Sequence, residues 1–435
     1  MASKYYKKYI RIPPGESIDI REILPIIQHP LFQRLRSVSQ LSNVLFVFPG
    51  ASHNRFEHVL GVYGKAVRFC NQLYKDGVLT AKEARNVSIF GLLHDIGHGP
   101  FSHLIEDLTP YNHKKNGLRI IGELKNEIAK SGGDFKFIRE CFELKNPLGK
   151  IISDKNLGMD KLDYLDRDTY HIGFGQRPDI ETILNYLSFF DGSVVIDKKA
   201  LESAKQIQRL YIYMYKEVYL HKSSLIAKRF LQKMISLWIS LRHIDPETLW
   251  LMNDQELIAH VYLDSDPRIQ FLYSVYAKRI APSTGVVFRV SQKQLRERIA
   301  GKKIKVIGEK PDFFKRFEVY TSPEKLENIE SQIARLLKIP EHTVLVVPTL
   351  NPWRFAPEDI LYHDDGVVYS LKDTQASYFE AMKGELEEYL SIRICIIGNR
   401  ALLYDHADKI HALLKRILSS KSIKNKKTKN LQLTF

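Results

Sequence analysis

The stretch GLLHDIGHGPFSHLIED, residues 91–107, holds the densest group of reactive side chains in this 435-residue chain. They include His94, Asp95, His98, His103 and Glu106, each of which can bind a metal ion or carry a proton. A spacing of four predicts that His94 and His98 share one face of a helix, while Asp95 lies about 100° around the axis. The adjacent histidine and aspartate are therefore expected to lean toward one ion.

Glycine and proline residues follow the His-Asp pair in this stretch. We expect Gly97, Gly99 and Pro100 to end the helix and redirect the chain, so that His103 returns toward the same pocket. Imidazole and carboxylate ligands together suit Zn, Mn, Fe or Ni, and Mg becomes suitable if water fills several positions. The stretch thus predicts a site for a divalent metal ion.

A complete coordination sphere needs ligands from other parts of the chain. His58 lies 94 − 58 = 36 positions upstream, on a predicted separate helix that begins after Pro49-Gly50. Asp160 lies 160 − 95 = 65 positions downstream, in an aspartate-rich segment. Either residue alone would be explained more simply as a helix cap or a hydrogen-bonded residue. The His-Asp pair with glycines around it favours the metal interpretation.

The distribution of apolar residues divides the chain into a helical part and a mixed part. From about residue 20 to 280 they recur mostly at helical spacing, and the pattern from Leu201 to Leu241 contains neither Gly nor Pro. After residue 281 short β-branched runs predict strands near 286–290, 343–347 and 392–397. Asp364-Asp365-Gly366, between two apolar triplets, predicts a hairpin turn.

These patterns predict a mainly α protein with a smaller α+β lobe toward the C-terminus. The expected domains are a helical domain at residues 1–280, the α+β lobe at 281–408, and a partly disordered basic tail at 409–435. We find no internal repeat.

Composition excludes several classes of protein. A hydrophobic fraction of 44% and a charged fraction of 26% are typical of a globular chain rather than a disordered one. Cys70, Cys141 and Cys395 are widely spaced and odd in number, which argues against a disulfide framework and favours a reducing compartment. No stretch approaches the roughly 18 apolar residues of a membrane helix. We therefore expect a cytoplasmic protein that makes no use of a membrane.

The net charge of +15 is concentrated at the C-terminal end. No acidic residue follows Asp408, and eight Lys and Arg residues lie beyond it, so residues 1–408 carry only 15 − 8 = +7. A solvated tail is the simpler interpretation, and a nucleic-acid-binding tail is the alternative. The surplus over the rest of the chain suits phosphate-bearing ligands of any size.

Five segments carry a resemblance to a known family. They are FQRLR at 32–36, FPGASHNRFEH at 48–58, GLLHDIGHGPFSH at 91–103, MDKLDYLDRD at 159–168 and YLHK at 219–222. Together they resemble the HD-domain phosphohydrolases and, more narrowly, the deoxynucleoside triphosphate (dNTP) triphosphohydrolases, the group that includes the sterile-alpha-motif and HD-domain restriction factor of animals. The resemblance covers about residues 10–280 and implies a helical HD domain; it is weaker in the α+β lobe.

The resemblance implies a role for each matching residue. The implied metal ligands are His58, His94, Asp95 and Asp160. The implied catalytic residues are His98, His103, Glu106 and His113, with Glu106 in the place of an aspartate of the animal enzyme. The implied substrate-binding residues are Arg55 and Lys161 for phosphate, Gln40, Asp168 and Tyr164 for the sugar, and Tyr219 for the base. One divalent metal ion would be the cofactor, and further Mg could accompany the nucleotide.

The resemblance also implies partners and leaves alternatives open. Relatives are homodimers or homotetramers, and some need a nucleotide activator. Gln33, Arg34 and Arg36 would suit activator phosphates, but Gln28-His29-Pro30 departs from the segment that reads the activator base. One alternative is a phosphohydrolase that acts on another nucleotide or phosphate ester. The other is a module that binds nucleotide or nucleic acid without catalysis, using the pocket and the basic tail.

Overall fold

The computed structural model describes residues 8–174, 176–290 and 303–419, which form two compact units. The first unit contains the chain up to Ala281 together with Asn351–Tyr389. The second contains Pro282–Leu350 and the chain from Leu390. The fold is mainly α with small sheets, as the sequence predicts.

The first unit is a helical bundle with two small sheets. Its elements up to residue 186 are β1 Tyr9–Ile12, β2 Glu16–Asp19, α1 Leu24–Ile27, α2 Pro30–Gln33, α3 Arg55–Lys75, α4 Ala81–Leu93, α5 His113–Glu123, α6 Lys125–Lys130, α7 Phe135–Phe142, α8 Lys150–Ser153, α9 Met159–Ile172 and α10 Ile180–Tyr186. The later ones are β3 Leu187–Phe190, β4 Ser193–Asp197, α11 Leu201–Met214, α12 Lys222–Arg242, α13 Pro246–Leu251, α14 Asp254–Tyr262 and α15 Pro267–Ala277.

The remaining elements alternate between the two units. The second unit has β5 Ser283–Arg289, β6 Lys305–Gly308, α16 Pro311–Phe317, α17 Pro323–Leu337, β7 Val344–Thr349, β10 Ser391–Ile396, α20 Ala401–Asp405 and α21 Ala407–Ser419. The segment that returns to the first unit has β8 Leu361–Asp364, β9 Val367–Ser370, α18 Leu371–Thr374 and α19 Ala376–Glu387. The second unit is one four-stranded sheet, β6-β5-β10-β7, with its own apolar core.

Helices α3, α4 and α9 form the centre of the first unit and position the residues implied as metal ligands. Asn54 begins α3 by accepting the amide hydrogen of Glu57, and a Thr80–Glu83 capping box begins α4. Gly61 lets α9 approach α3 closely, because a Cβ there would overlap the side chains of Asp163 and Arg167. The close packing of α3 and α9 therefore depends on one glycine.

The structure corrects the predicted helix across the His-Asp motif. Helix α4 ends at Leu93, and residues 94–97 form tight turns in which His98 N–H donates to the Asp95 carbonyl. Gly97 sits against the backbone of His113 and Gly117, where a side chain would not fit. His94 and His98 are thus brought together by a turn, not by one helix face.

The apolar pattern from Leu201 to Leu241 also folds less regularly than predicted. A π-helical turn at Tyr215–Tyr219 follows α11, and the chain breaks at Leu220 and His221 before α12. A second departure from the expected helical part is the β3–β4 hairpin. Helix periodicity alone signals neither feature. A π turn inserts one extra residue into a helix, and the composition of the segment stays typical of a helix.

The α+β lobe differs from the linear domain division that the sequence suggests. The expected strands β5, β7 and β10 form, and so does the β8–β9 hairpin around Asp365-Gly366. However, β8 pairs in parallel with β4, so the hairpin extends the sheet β3-β4-β8-β9 of the first unit. Helix α21 crosses the expected start of the tail at 409 and runs to Ser419. The rest of the predicted tail, 420–435, lies outside the described residues.

Candidate metal centre and active site

Two histidines and two aspartates from three helices meet at one point. His58 lies on α3, Asp160 begins α9, and His94 and Asp95 follow α4 directly. One ligand atom from each of His58, His94 and Asp95 lies within 4.8 Å of the others. Asp160 Oδ1 lies 3.1 Å from His58 Nε2 and 3.6 Å from His94 Nε2. The structure therefore brings together all four residues implied as metal ligands.

The chemistry of these four residues fits a divalent ion. The Nε2 atoms of His58 and His94 are buried, and within the described part of the chain neither forms a hydrogen bond of good geometry. His94 Nδ1 is held by the Gly91 carbonyl at 2.8 Å, which leaves its Nε2 facing the carboxylates. Unpartnered imidazole nitrogens beside two carboxylates are what a transition metal requires.

Asp163 orients His58 from the side away from the site. His58 Nδ1 donates to Asp163 Oδ2 at 2.8 Å, and Asp163 also binds Lys65 and Arg167. Burial opposes a charged imidazolium, but the carboxylates of Asp160 and Asp163 outweigh it and raise the pKa of His58 to about 9. Without a metal ion, His58 is thus predominantly protonated at neutral pH.

Asp95 connects the metal cluster to the cation Arg55. The Arg55 guanidinium bonds Asp95 Oδ2 and, through Nε, donates to Ser102 Oγ at 2.8 Å. Burial favours a neutral carboxyl, but the positive charge of Arg55 leads the effects that lower the pKa of Asp95 well below its usual range. Arg55 is buried, so the surface ion pair with Glu57 that its sequence neighbours allow does not form.

Three histidines and a glutamate form a second group beside the first. Ligand atoms of His98, His103, Glu106 and His113 all lie within 4.8 Å of one another. Glu106 binds His113 Nδ1 and lies 3.3 Å from His103 Nδ1, and the rings of His98 and His113 stack at 4.4 Å. His98 Nε2 lies 3.3 Å from Asp95 Oδ1, which joins the two groups. The structure therefore brings His113 to the pocket from the start of α5.

Burial and neighbouring charges set the protonation of His98, His103 and Glu106 in this second group. Burial, followed by the Arg55 charge, lowers the pKa of His98 well below its usual range, and burial lowers the pKa of His103. Burial opposes ionisation of Glu106, but its contacts with His103 and His113 lower its pKa. A neutral imidazole beside a carboxylate can accept a proton and then, as the imidazolium, donate it to a leaving group.

Lys161 is buried under an aromatic ring rather than at the surface. Its Nζ lies 3.6 Å from the centre of the Tyr211 ring, and no carboxylate of the described residues lies within salt-bridge distance. Burial lowers the pKa of Lys161 to about 7. Because no acid neutralises it at close range, this ammonium is available to an anionic ligand.

A group of hydrogen-bonded polar residues lies toward the other end of α9. Asp168 Oδ1 accepts from His53 Nε2 at 2.7 Å, and its Oδ2 accepts from the Tyr219 hydroxyl at 2.5 Å. Gln40 N–H donates to the His53 carbonyl at 3.1 Å, which places Gln40 beside the same pair. Asp160, Tyr164 and Asp168 are spaced by four and follow one face of α9. The implied sugar-binding residues are thus near one another.

Three residues of the site were not assigned from the sequence. Asp163 orients His58, His53 orients Asp168, and Tyr211 covers Lys161. Tyr211, Tyr215 and Tyr219 recur every four residues, and of these three only Tyr215 is buried. For Asp163, the available sequence signal was its position three residues after Asp160, about one helical turn away.

The arginines considered for an activator site have other partners. Arg34 donates to the carbonyls of Ile96, His98 and Met252, and burial lowers its pKa to about 10. Arg36 lies over the Phe56 ring and donates to Gln33. Arg34 therefore has a structural role in this unit, because it links the His98 turn to Met252.

Comparison with known families finds two matching regions in this chain. Residues 55–168 match the HD domain, and residues 179–280 match the HD associated region. The chain therefore contains an HD domain. Within this HD protein the matched domain begins at Arg55 and ends at Asp168, so it contains both clusters of the site. Among the described residues, no helix is both long and apolar enough to cross a membrane.

Curated relatives share about half of their length with this HD protein. An uncharacterized protein of Methanocaldococcus jannaschii is 33% identical over 250 residues, covering 56% of this chain and 52% of its own. The deoxynucleoside triphosphate triphosphohydrolase SAMHD1 homolog of Dictyostelium discoideum is 27% identical over 274 residues, covering 57% and 53%. SAMHD1 of Gallus gallus is 31% identical over 258 residues, covering 49% and 42%.

Solved structures share the fold over most of this HD protein. A phosphohydrolase from Bacteroides thetaiotaomicron has a TM-score of 0.69 at 23% identity, covering 90% of this chain and 100% of its own. A hypothetical protein from Aquifex aeolicus has a TM-score of 0.67 at 22% identity, covering 93% and 100%. At these identities the likeness concerns the fold.

Proposed function

We propose that this chain is a metal-dependent hydrolase that cleaves deoxynucleoside triphosphates to the deoxynucleoside and inorganic tripolyphosphate. The relatives named as dNTP triphosphohydrolases, 27–31% identical, support the substrate class. The metal ion, the triphosphate and the sugar would then bind next to one another along the site. The proposal goes beyond the match to the HD domain, because it names one reaction.

The observation that carries the proposal is the face of α9 that bears Asp160, Tyr164 and Asp168. The two aspartates are eight positions apart, or about 12 Å along the helix axis. At one end of this face Asp160 joins the candidate metal cluster, and at the other Asp168 binds His53 and Tyr219. A nucleotide with its phosphates at the metal and its sugar at Asp168 would lie along it.

The phosphate end has the charges that the reaction needs. A nucleoside triphosphate carries about four negative charges, so its hydrolysis requires cations and donors around the reacting phosphorus. Arg55 and Lys161 supply positive charge, and neutral His98 supplies a hydrogen-bond donor. A divalent ion held by the four ligands would polarise the phosphate and favour ionisation of water.

The leaving group needs a proton. Hydrolysis joins the oxygen of water to the α-phosphorus and breaks its bond to the 5′-oxygen, which must be protonated as it leaves. His113 and His103 are the donors we assign, because Glu106 holds both rings beside His98. Glu106 would stabilise the imidazolium that donates the proton, and after transfer the ring is neutral while Glu106 stays ionised.

The sugar end accounts for selection of a deoxynucleotide. Asp168 keeps a lone pair free on each oxygen after accepting from His53 and Tyr219, so it can also accept from a 3′-hydroxyl. Gln40 would bind the same hydroxyl, and Tyr164 would crowd a 2′-hydroxyl. Tyr219 would line the base beyond its bond to Asp168.

The direct test is to identify products. The purified protein is incubated with Mn²⁺ or Mg²⁺ and each dNTP, singly and mixed, and products are separated with mass detection. Deoxynucleoside plus tripolyphosphate supports the proposal, and activity only in mixtures supports a nucleotide activator. Sizing the protein with and without dNTPs tests the proposed homodimer or homotetramer. Mono- or diphosphate products, or no product, would contradict the reaction.

Asp95→Ala and Asp166→Asn provide a matched pair for that assay. Asp95→Ala removes an implied ligand and should abolish turnover. Asp166 lies on the same α9 helix as Asp160, but its carboxylate pairs with Arg177. Asp166→Asn should therefore retain turnover, and full activity in Asp95→Ala would contradict the metal-ligand assignment.

A further inference from the structure

The turn that carries His98 and His103 is held by a segment of the HD associated region. Asn116 Nδ2 donates to the Gly97 carbonyl at 2.8 Å and approaches the Trp250 carbonyl at 3.5 Å. Arg34 bonds both the His98 and the Met252 carbonyl, at 2.6 and 3.0 Å. Asn116 and Arg34 thus connect residues 250–252 to the turn through hydrogen bonds.

Asp254 makes the direct connection. It is the first residue of α14, and its Oδ1 accepts the amide hydrogen of Phe101 at 2.6 Å. Its Oδ2 accepts the amide hydrogen of Ser39 at 3.1 Å. One carboxylate therefore links the residue two positions before His103 to the residue immediately before Gln40.

The backbone at Phe101 is one that side-chain-bearing residues rarely adopt. Phe101 and Ser102 have φ values of 55° and 53°, in the left-handed region. Such conformations cost free energy and persist only where surrounding contacts impose them. The bond from Phe101 N–H to Asp254 is one of these contacts, and Ser102 N–H donates to the Gly99 carbonyl at 3.1 Å as another.

The same two segments are joined again by Ser102. Its hydroxyl donates to the Ser39 carbonyl at 2.7 Å and accepts from Arg55 Nε at 2.8 Å. Arg55 in turn bonds Asp95. A shift of Phe101 and Ser102 would therefore also move the guanidinium that faces the metal ligands.

We propose that Asp254 is a positioning residue through which the HD associated region holds the histidine turn against the Gln40 segment. It acts through Arg55 and His103 at the phosphates and through Gln40 at the sugar, and it does not touch the substrate. The proposal rests on the proposed function for those roles. The structural part of the proposal, the two hydrogen bonds from backbone amides to Asp254, does not depend on any substrate.

Asp254→Ala, Asp254→Asn and Glu256→Ala are the variants that test it. Asp254→Asn keeps one acceptor of similar shape, so it should retain part of the contact if Asp254→Ala fails to fold. Glu256 lies on the same first turn of α14 and accepts from Asn253 N–H at 2.9 Å. Glu256→Ala thus weakens the start of the helix without touching the histidine turn.

Hydrogen exchange measures the structural part. Peptides that cover residues 38–41 and 99–103 should exchange faster in Asp254→Ala than in the wild type, with an intermediate effect in Asp254→Asn and none in Glu256→Ala. Unchanged exchange in Asp254→Ala would overturn the proposal. If the wild type hydrolyses no dNTP, the proposed function fails, and these exchange data still decide whether Asp254 holds the turn.

Activity and specificity measure the functional part. We expect kcat/KM for a dNTP to fall about tenfold to a hundredfold in Asp254→Ala at unchanged metal content, because a small misplacement of catalytic groups is costly. Preference for a dNTP over its 2′,3′-dideoxy analogue should also shrink, since Gln40 is displaced. Wild-type kcat/KM and preference in a folded Asp254→Ala, or losses equal to those of Glu256→Ala, would overturn it.

Discussion

His58 Nδ1 donates a hydrogen bond to Asp163, and this single contact at 2.8 Å fixes which nitrogen of His58 faces the metal site. Asp163 is itself buried and held by Lys65 and Arg167, so the imidazole rests on an immobile carboxylate. Such outer partners set the orientation and basicity of a metal ligand. The arrangement leads to the first two predictions below.

Asp163→Asn should weaken metal binding by about tenfold to a hundredfold while retaining the four ligands. The amide keeps the shape of the side chain but loses the charge that holds His58, Lys65 and Arg167. Competition with a chelator measures the dissociation constant. Asp166→Asn on the same helix is the control, and equal affinities in the two variants would contradict the role of Asp163.

Metal binding should release at least one proton at pH 7. The pKa of His58 in the metal-free protein is about 9, so its ring is protonated at pH 7 and must lose that proton to become a ligand. Affinity should therefore rise with pH, by up to about tenfold per unit for one proton, and level off above pH 9. Calorimetry in buffers of different ionisation enthalpy counts the protons; affinity independent of pH from 6 to 8 would refute it.

Gly61→Ala should destabilise the protein by about 1–3 kcal/mol, because its methyl group would overlap Asp163 and Arg167. Gly122→Ala in α5 is the matched control, since nothing lies within 4 Å of a Cβ there. The control should be neutral or slightly stabilising, as helical Gly-to-Ala changes are in open positions. Urea unfolding of the metal-loaded proteins compares them, and equal midpoints would contradict the close approach of α3 and α9.

Lys161→Met should lower kcat/KM by at least about tenfold and leave the melting temperature unchanged or higher. The ammonium is buried over Tyr211 without a close carboxylate among the described residues, so its charge costs stability in the free protein. Its benefit arises only with a bound anion. Thermal unfolding and steady-state kinetics are measured on one preparation, and a large loss of stability would contradict the assignment.

The sequence indicated a candidate metal site because the four implied ligands carry local signals. The His94-Asp95 pair with glycines around it marks a site, and the motifs around His58 and Asp160 match one family. The turn that joins His94 to His98 was mistaken for a helix, because the four-residue spacing fits both geometries. Spacing identified the residues better than it identified the backbone that presents them.

Residues that act through long-range contacts could not be recognised in this way. Asp254 reaches Phe101 across 153 positions, and His53 reaches Asp168 across 115. Neither residue differs in its immediate sequence from an ordinary helix-terminal aspartate or a buried histidine. Likewise the β8–β9 hairpin has a clear local turn, but its pairing with β4 depends on tertiary packing that no local pattern encodes.

The parallel pairing of β4 with β8 has a consequence for synthesis of the chain. Gln208 and Asn156 also bond the carbonyls of Glu358 and Asp359, so the helical unit uses backbone that is made after most of the second unit. On the ribosome, the HD-bearing unit cannot complete its sheet until residues near 370 have emerged. A fragment that stops at residue 280 would expose the β4 edge and lose these bonds, although it contains every proposed catalytic and metal-binding residue.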